Sequence, residues 1–385
     1  MIARRSGAAR AVATPRHVAL NALWLDPGRS AGTETYLRAL VPALRRTLPN
    51  TRFSIVTTRR GAAGLIADGW SDVHAVAADE GQRARRMLAE LVRFPRTGEQ
   101  LGADVLHSLA NTGPGATRVP HVLTIHDLIP FRIHTLRRSS EAVLKRVVTR
   151  SARHAAAVVA ISDATGKDVV ATLGVDPERV HTVHNGPGRP PHAQPAPAGV
   201  VRVRLGLSSA ERVVMLVAAF RRHKNQEVLV RALALLPEDV VLVLCGPEEP
   251  YLDELRRLAL QLGVAARVRF AGYQPDDVLE GLWGLAACAA VPSLAEGFGV
   301  PVLEALGRGV PLACSDIAVL REVGGDLPHP FAPHDPTTAA AAVTAALADR
   351  RTRDEGPAWV AGRFSWDACA QGVAEVYKRV LCTSH

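Results

Sequence analysis

Two glutamates are the residues that most invite a chemical reading. In Val291-Pro-Ser-Leu-Ala-Glu-Gly-Phe-Gly-Val-Pro-Val-Leu-Glu304 an apolar strand pattern ends at Pro292, and a loop then carries Glu296 among small residues. Pro301 follows where a first helical turn accepts proline, with Glu304 inside that helix. Gly297 and Gly299 would let the backbone approach a ligand, and the free N–H groups of the helix start favour an anion or a polyhydroxyl group there. Pure helix would hold the two carboxylates about 12 Å apart. The carboxyl pairs of glycosidases span only about 5 to 9.5 Å, so the spacing points to a ligand with two distant hydroxyl-bearing ends, such as a nucleotide sugar. The plainer alternative is that the glycines only turn the chain and both glutamates are solvated.

The second constellation is Phe220-Arg-Arg-His-Lys-Asn-Gln-Glu227, between a strand pattern over 213–219 and a helix pattern reaching about 236. Asn225 is placed to cap that helix, and Lys224 with Arg221 or Arg222 would put positive charge beside its N-terminus, an environment suited to a diphosphate. The alternative is a solvated basic loop. In the first half, Ala31-Gly-Thr-Glu-Thr-Tyr36 and Thr124-Ile-His-Asp-Leu-Ile-Pro130 place glycine, histidine and aspartate just after strand patterns. Taken alone, His126 reads more readily as a satisfied histidine at a strand end.

The elements that must position these residues are short apolar runs alternating with helix-length segments. The strand patterns fall at 17–23, 53–57, 105–108, 121–125 and 157–161, and again at 213–219, 240–245, 268–272, 287–292 and 311–315. Unbroken apolar strands between helices predict parallel sheets covered on both faces. A length of 385 residues predicts two domains. The fold class expected is α/β, with two Rossmann-like doubly wound domains facing each other across a cleft. Residues 1–186 would form the first domain, 187–204 a Pro/Gly-rich linker, 205–364 the second domain, and 365–385 a helix packing back across the junction, with Ser365 as its cap. Open α/β sheets bind ligands beyond the carboxyl ends of their strands, which is where the motifs fall.

Composition narrows the classes further. Hydrophobic residues make up 48% and aromatics 4%, which suits an aliphatic core rather than a base-stacking surface. The net charge of +9 comes from arginines spread over the whole chain with only four lysines, so it forms no basic stripe and nucleic acid is not expected as a partner. The five cysteines include no Cys-x-x-Cys pair, which indicates neither a disulfide framework nor a zinc site and suits the cytoplasm. The basic N-terminal residues are broken by Pro15 and Arg16 before a secretory apolar region can form, and no run reaches membrane-spanning length. Attraction to anionic substrates or to the inner face of a membrane remains compatible with the charge.

Together these motifs resemble the retaining nucleotide-sugar glycosyltransferases of glycosyltransferase family 4, whose E-x7-E pattern is matched by Glu296 and Glu304. The resemblance covers nearly the whole chain and implies a GT-B fold and hexosyl transfer, of mannose or glucose type, from a GDP- or UDP-linked donor to a saccharide, lipid-linked or small-molecule acceptor. It implies that Glu296, His126 and Lys224 serve catalysis, with Asp127 supporting. It further implies that Gly32, Arg221 or Arg222, Lys224, Gly272, Tyr273, Gly297, Phe298, Gly299, Val300 and Glu304 bind the donor. Many members carry an arginine five residues before the lysine, and this chain has Ala219 there. No Asp-x-Asp triplet occurs, so neither a metal nor another cofactor is expected. Rival readings are a sugar-nucleotide epimerase of the same architecture, a phosphorylase, and a nucleotide- or nucleic-acid-binding protein without turnover.

Overall fold

The computed structural model describes residues 14–28, 31–78, 83–133, 138–188 and 194–383. Residues 1–13 of the basic N-terminal stretch, 134–137, and 189–193 of the expected linker therefore lie outside the described residues. All strand pairings are parallel. The first sheet comprises β1 (His17–Ala22), β2 (Arg52–Thr57), β3 (Val73–Ala75), β4 (Val105–Ser108), β5 (His121–Ile125), β6 (Ala157–Ala160) and β7 (Val180–Thr182), in the order β3-β2-β1-β4-β5-β6-β7. The second comprises β8 (Arg212–Val217), β9 (Val240–Cys245), β10 (Val268–Gly272), β11 (Ala286–Val291), β12 (Leu312–Ser315) and β13 (His329–Phe331), in the order β10-β9-β8-β11-β12-β13.

These are two doubly wound sheets covered by helices, as the apolar runs predict. In each, the order reverses beside its first strand, between β1 and β4 and between β8 and β11. Connections leave the sheet in opposite directions at such a point and open a crevice at the strand ends. Strands β3, β7 and β13 lie at or near sheet edges and were not expected; three residues each are too few to register as an apolar run.

Helix Ala198–Leu205 occupies the end of the segment expected to be linker. Its Val201 and Leu205 are buried in the core of the second domain, so these residues belong to that domain. The last helix, Trp366–Thr383, begins where Ser365 Oγ accepts the Ala368 N–H at 3.0 Å. It returns to the first domain, where Cys369, Ala370, Val373, Val376 and Tyr377 join the core built on β1 and on helix Ala31–Thr47.

Buried histidines brace that core. The His107 ring bonds Tyr377 Oη at 2.6 Å and Thr124 Oγ1 at 2.8 Å, and the His121 ring bonds Ser108 Oγ at 3.0 Å. Burial drives both rings down to about 3 from the ordinary 6.5. A histidine with a depressed folded pKa contributes fully above 6.5 and loses its contribution as the pH falls toward 3. We expect roughly 2 kcal/mol of stability lost per histidine at pH 5, read from urea unfolding at pH 7.5 and 5.0. The dependence should be shallower in His121→Asn; equal wild-type midpoints would mean that neither ring must shed a proton to fold.

Candidate active site

The two loops that carry the strongest motifs leave the sheet side by side. β8 and β11 are neighbours at the reversal point, so the loop with Lys224 and the loop with Glu296 emerge together. They are stitched by Leu294 N–H donating to the His223 carbonyl at 2.8 Å and by Asn225 Nδ2 donating to the Pro292 carbonyl at 3.0 Å. Asn225 does not cap the helix with its side chain as expected. Its φ of 54° turns the side chain away, and Nδ2 bonds Pro292 and Pro333 instead.

Lys224 Nζ lies 2.6 Å from Glu296 Oε1, which also accepts the Ser293 hydroxyl at 2.7 Å. The pair is largely screened from water, with side-chain exposures of 20% and 9%, so its Coulombic attraction exceeds that of a surface pair. Arg221 and Arg222 are not drawn in beside it. They sit exposed and bind Glu249 and Glu254, both at 2.7 Å, and Arg222 also lies over the Tyr251 ring.

The first domain meets this loop at the end of β5. Gly297 packs so closely under the His126 carbonyl oxygen that a methyl group at 297 would overlap it. The Gly297 carbonyl accepts Ser162 Oγ at 2.8 Å and Thr165 Oγ1 at 3.1 Å, both from helix Asp163–Asp168 and its cap. The His126 ring donates from Nε2 to the Leu109 carbonyl at 2.8 Å and stands edge-on to Tyr36 at 4.9 Å. Burial lowers its pKa, keeping the imidazole neutral. Burial also raises the Asp127 carboxyl, with the nearby Glu296 charge adding to the rise and Lys224 opposing it. Three ionisable groups from two domains thus share one electrostatic neighbourhood.

Glu304 stands apart from them. It lies in helix Val300–Gly307, which starts behind Gly299 at φ 87° with Pro301 in its first turn. Its carboxyl presses on Gly188, where the chain crosses between domains, and burial pushes it up to about 7. Phe298 is buried, its ring near His184 and Phe364, and Val300 opens the helix. Gly32 lies in the first turn of helix Ala31–Thr47 with open space before it, while Gly272 ends β10 at φ 64° and Tyr273 is exposed. A cleft of about 200 Å³ opens between the domains beside Glu296, lined by Leu128, Ile129 and Arg132 on one side and Leu294, Ala295 and Val319 on the other.

The comparisons with known proteins decide the family. Glycosyl transferases group 1 match residues 201–355, and Glycosyltransferase Family 4 matches residues 30–187. An alpha-maltose-1-phosphate synthase of Mycolicibacterium smegmatis is 31% identical over 68% of this chain and 73% of its own length. The chain belongs to the group 1, family 4 glycosyltransferases. A D-inositol 3-phosphate glycosyltransferase of Nocardia farcinica is 32% identical over 70% of this chain, and the match spans 63% of that relative's length. The fold is that of GT-B glycosyltransferases. Sucrose-phosphate synthase from Thermosynechococcus elongatus superposes with a TM-score of 0.73 over 96% of this chain and 100% of that one, at 20% identity. Anabaena Alr3699/HepE, solved in complex with UDP-glucose, does so with 0.73 over 93% and 98%, at 21% identity.

The site is also held together by residues that the motifs did not reveal. Ser293 steadies Glu296, Thr165 joins Ser162 on Gly297, and Glu322 reaches across the domain boundary to Asp163, Ala164 and His184. Ser162 is a residue type favoured at helix N-caps and takes that place here; nothing local marks Thr165 or Glu322. No described helix is long and apolar enough to cross a membrane.

Proposed function

We propose that the enzyme transfers a hexose from a UDP- or GDP-linked sugar to a hydroxyl acceptor, with retention of anomeric configuration and without a metal ion. The observation that carries this reading is the Lys224–Glu296 pair at the reversal point of the second sheet, facing His126 and Asp127 across the cleft. An ammonium has three N–H donors, so Lys224 can hold Glu296 and still offer donors to a diphosphate. As the glycosidic bond to the diphosphate breaks, negative charge grows on the leaving oxygens. Lys224 and the first N–H groups of helix Val300–Gly307 are suited to stabilise it, a task otherwise given to a cation. Glu296, paired with Lys224, would support the positive charge developing on the sugar rather than attack it. The missing Asp-x-Asp triplet favours the metal-free reading. The names of several relatives, D-inositol 3-phosphate glycosyltransferases, favour a phosphorylated ring polyol on the acceptor side.

Glu304 would accept the ribose diol in its ionised form. Because its carboxyl titrates at about 7, donor affinity should rise as the pH goes from 6 to 8. Glu304→Gln should weaken binding about ten-fold at pH 8 and flatten that dependence. The test is thermal stabilisation and Kd for a panel of UDP- and GDP-sugars, followed by transfer assays with and without EDTA. No stabilising donor in the panel would overturn the donor class. Activity lost to EDTA and restored by Mg²⁺ would overturn the metal-free reading, and an unchanged pH dependence in Glu304→Gln would remove Glu304 from the ribose.

A further inference from the structure

We infer that Glu322 is a positioning residue for catalysis: with His184 it forms a latch between the domains that sets the register in which Gly297 seats beneath His126. Glu322 belongs to helix Ala318–Gly324 of the second domain. Its Oε1 accepts the Asp163 N–H at 2.7 Å and its Oε2 the Ala164 N–H at 3.0 Å, both from the first domain. The His184 ring donates from Nε2 to Oε1 at 2.7 Å. His184 lies on the segment where the chain passes from β7 toward the second domain, a segment held by Trp366 Nε1 donating to the Pro187 carbonyl at 2.9 Å.

One short helix therefore receives the second domain at two points. Its first N–H groups are held by Glu322, and its cap Ser162 with Thr165 holds the carbonyl of Gly297. Loosening one point frees the helix to shift against the other, and the loop carrying Glu296 follows. Charge-assisted bonds of this kind are the strong ones, and these exist only while the domains are apposed.

Asp163, His184 and Glu322 approach closely enough to suggest a cation site. However, both oxygens of Glu322 already accept N–H donors, so the cluster is satisfied as an ion pair. The groups facing His184 are Glu322, Asp163 and the rings of Phe298 and Phe364. The bond to Glu322, with the charges of Glu322 and Asp163, raises the His184 pKa against the effect of burial. The bond from His184 and the two backbone N–H groups hold Glu322 low against its own desolvation. A histidine raised in this way strengthens the latch below its pKa and weakens it as the pH rises through it.

The test is small-angle X-ray scattering of the whole chain, free and with UDP or GDP, for wild type, Glu322→Ala, Glu322→Gln and His184→Gln, together with kcat. We expect Glu322→Ala to enlarge the radius of gyration and lower kcat about ten-fold with the nucleotide Kd within two-fold, and Glu322→Gln to recover part of both. Wild type should expand between pH 6 and 8.5, and His184→Gln should not. Should Glu322→Ala fail to fold, Glu322→Gln and His184→Gln still decide the matter. Wild-type radius and turnover in the variants, expansion without loss of turnover, or retained pH-driven expansion in His184→Gln would each overturn the proposal. The scattering requires no knowledge of the sugar, so a wrong donor assignment and a wrong latch give different results.

Discussion

Lys224→Ala will lower turnover by about 10²- to 10³-fold, the cost of removing one preorganised donor from a group that gains charge in the transition state. The alanine also strands Glu296, which among the described residues keeps the Ser293 hydroxyl as partner and still faces the Asp127 carboxyl. Two carboxylates then share a screened site without their cation, which favours proton uptake by one of them. The loss should therefore be deepest at high pH, where both carboxylates are charged. Arg221→Ala and Arg222→Ala provide the contrast: each breaks an exposed pair with Glu249 or Glu254, and both should stay within about three-fold of wild type. Steady-state kinetics of the three variants from pH 6 to 9 measures this. A Lys224→Ala enzyme as active as the arginine variants would remove the lysine from the leaving-group side.

The second large effect should come from a single methyl group. Gly297→Ala places its Cβ on the His126 carbonyl oxygen, with the Asp127 side chain close behind. Neither neighbour is a flexible chain end, since one is backbone and the other is tied through Oδ1 to the Ile129 N–H at 3.0 Å. The two domains must part at the point where Glu296 faces the first domain. We expect kcat to fall at least about 10²-fold, in line with the cost of misplacing reacting groups by about 1 Å, while each domain keeps its fold. Circular dichroism with single-turnover kinetics checks both halves of this expectation. Near-normal turnover would mean that the apposition of Gly297 and His126 is not the working arrangement.

Much of this architecture was legible in the chain because parallel strands buried on both faces announce themselves as apolar runs. Each expected strand lies within two residues of an observed one. Edge strands such as Val73–Ala75 escaped because two half-buried residues and one exposed one carry no pattern. Helix Ala198–Leu205 was hidden by the prolines before it and by its weak amphipathicity, with Val200 and Val203 exposed. At the site, the meeting of Lys224 and Glu296 could be anticipated because strand order decides which loops are neighbours. The partners of Arg221, Arg222 and Asn225 could not. Charge and capping preference are local properties, whereas Glu249, Glu254 and Pro333 arrive from elsewhere in the chain. Glu322 was invisible for the same reason, standing 138 residues from the histidine it holds.

The return of helix Trp366–Thr383 to the first domain bears on how the molecule is made. Tyr377, which bonds His107, and the Trp366 ring against Tyr36 reach the ribosome exit only after the whole second domain has been translated. During synthesis the leading half must wait with an open seam along β1 and helix Ala31–Thr47. Truncating the tail would then trap a nascent chain that exposes apolar surface to chaperones and proteases.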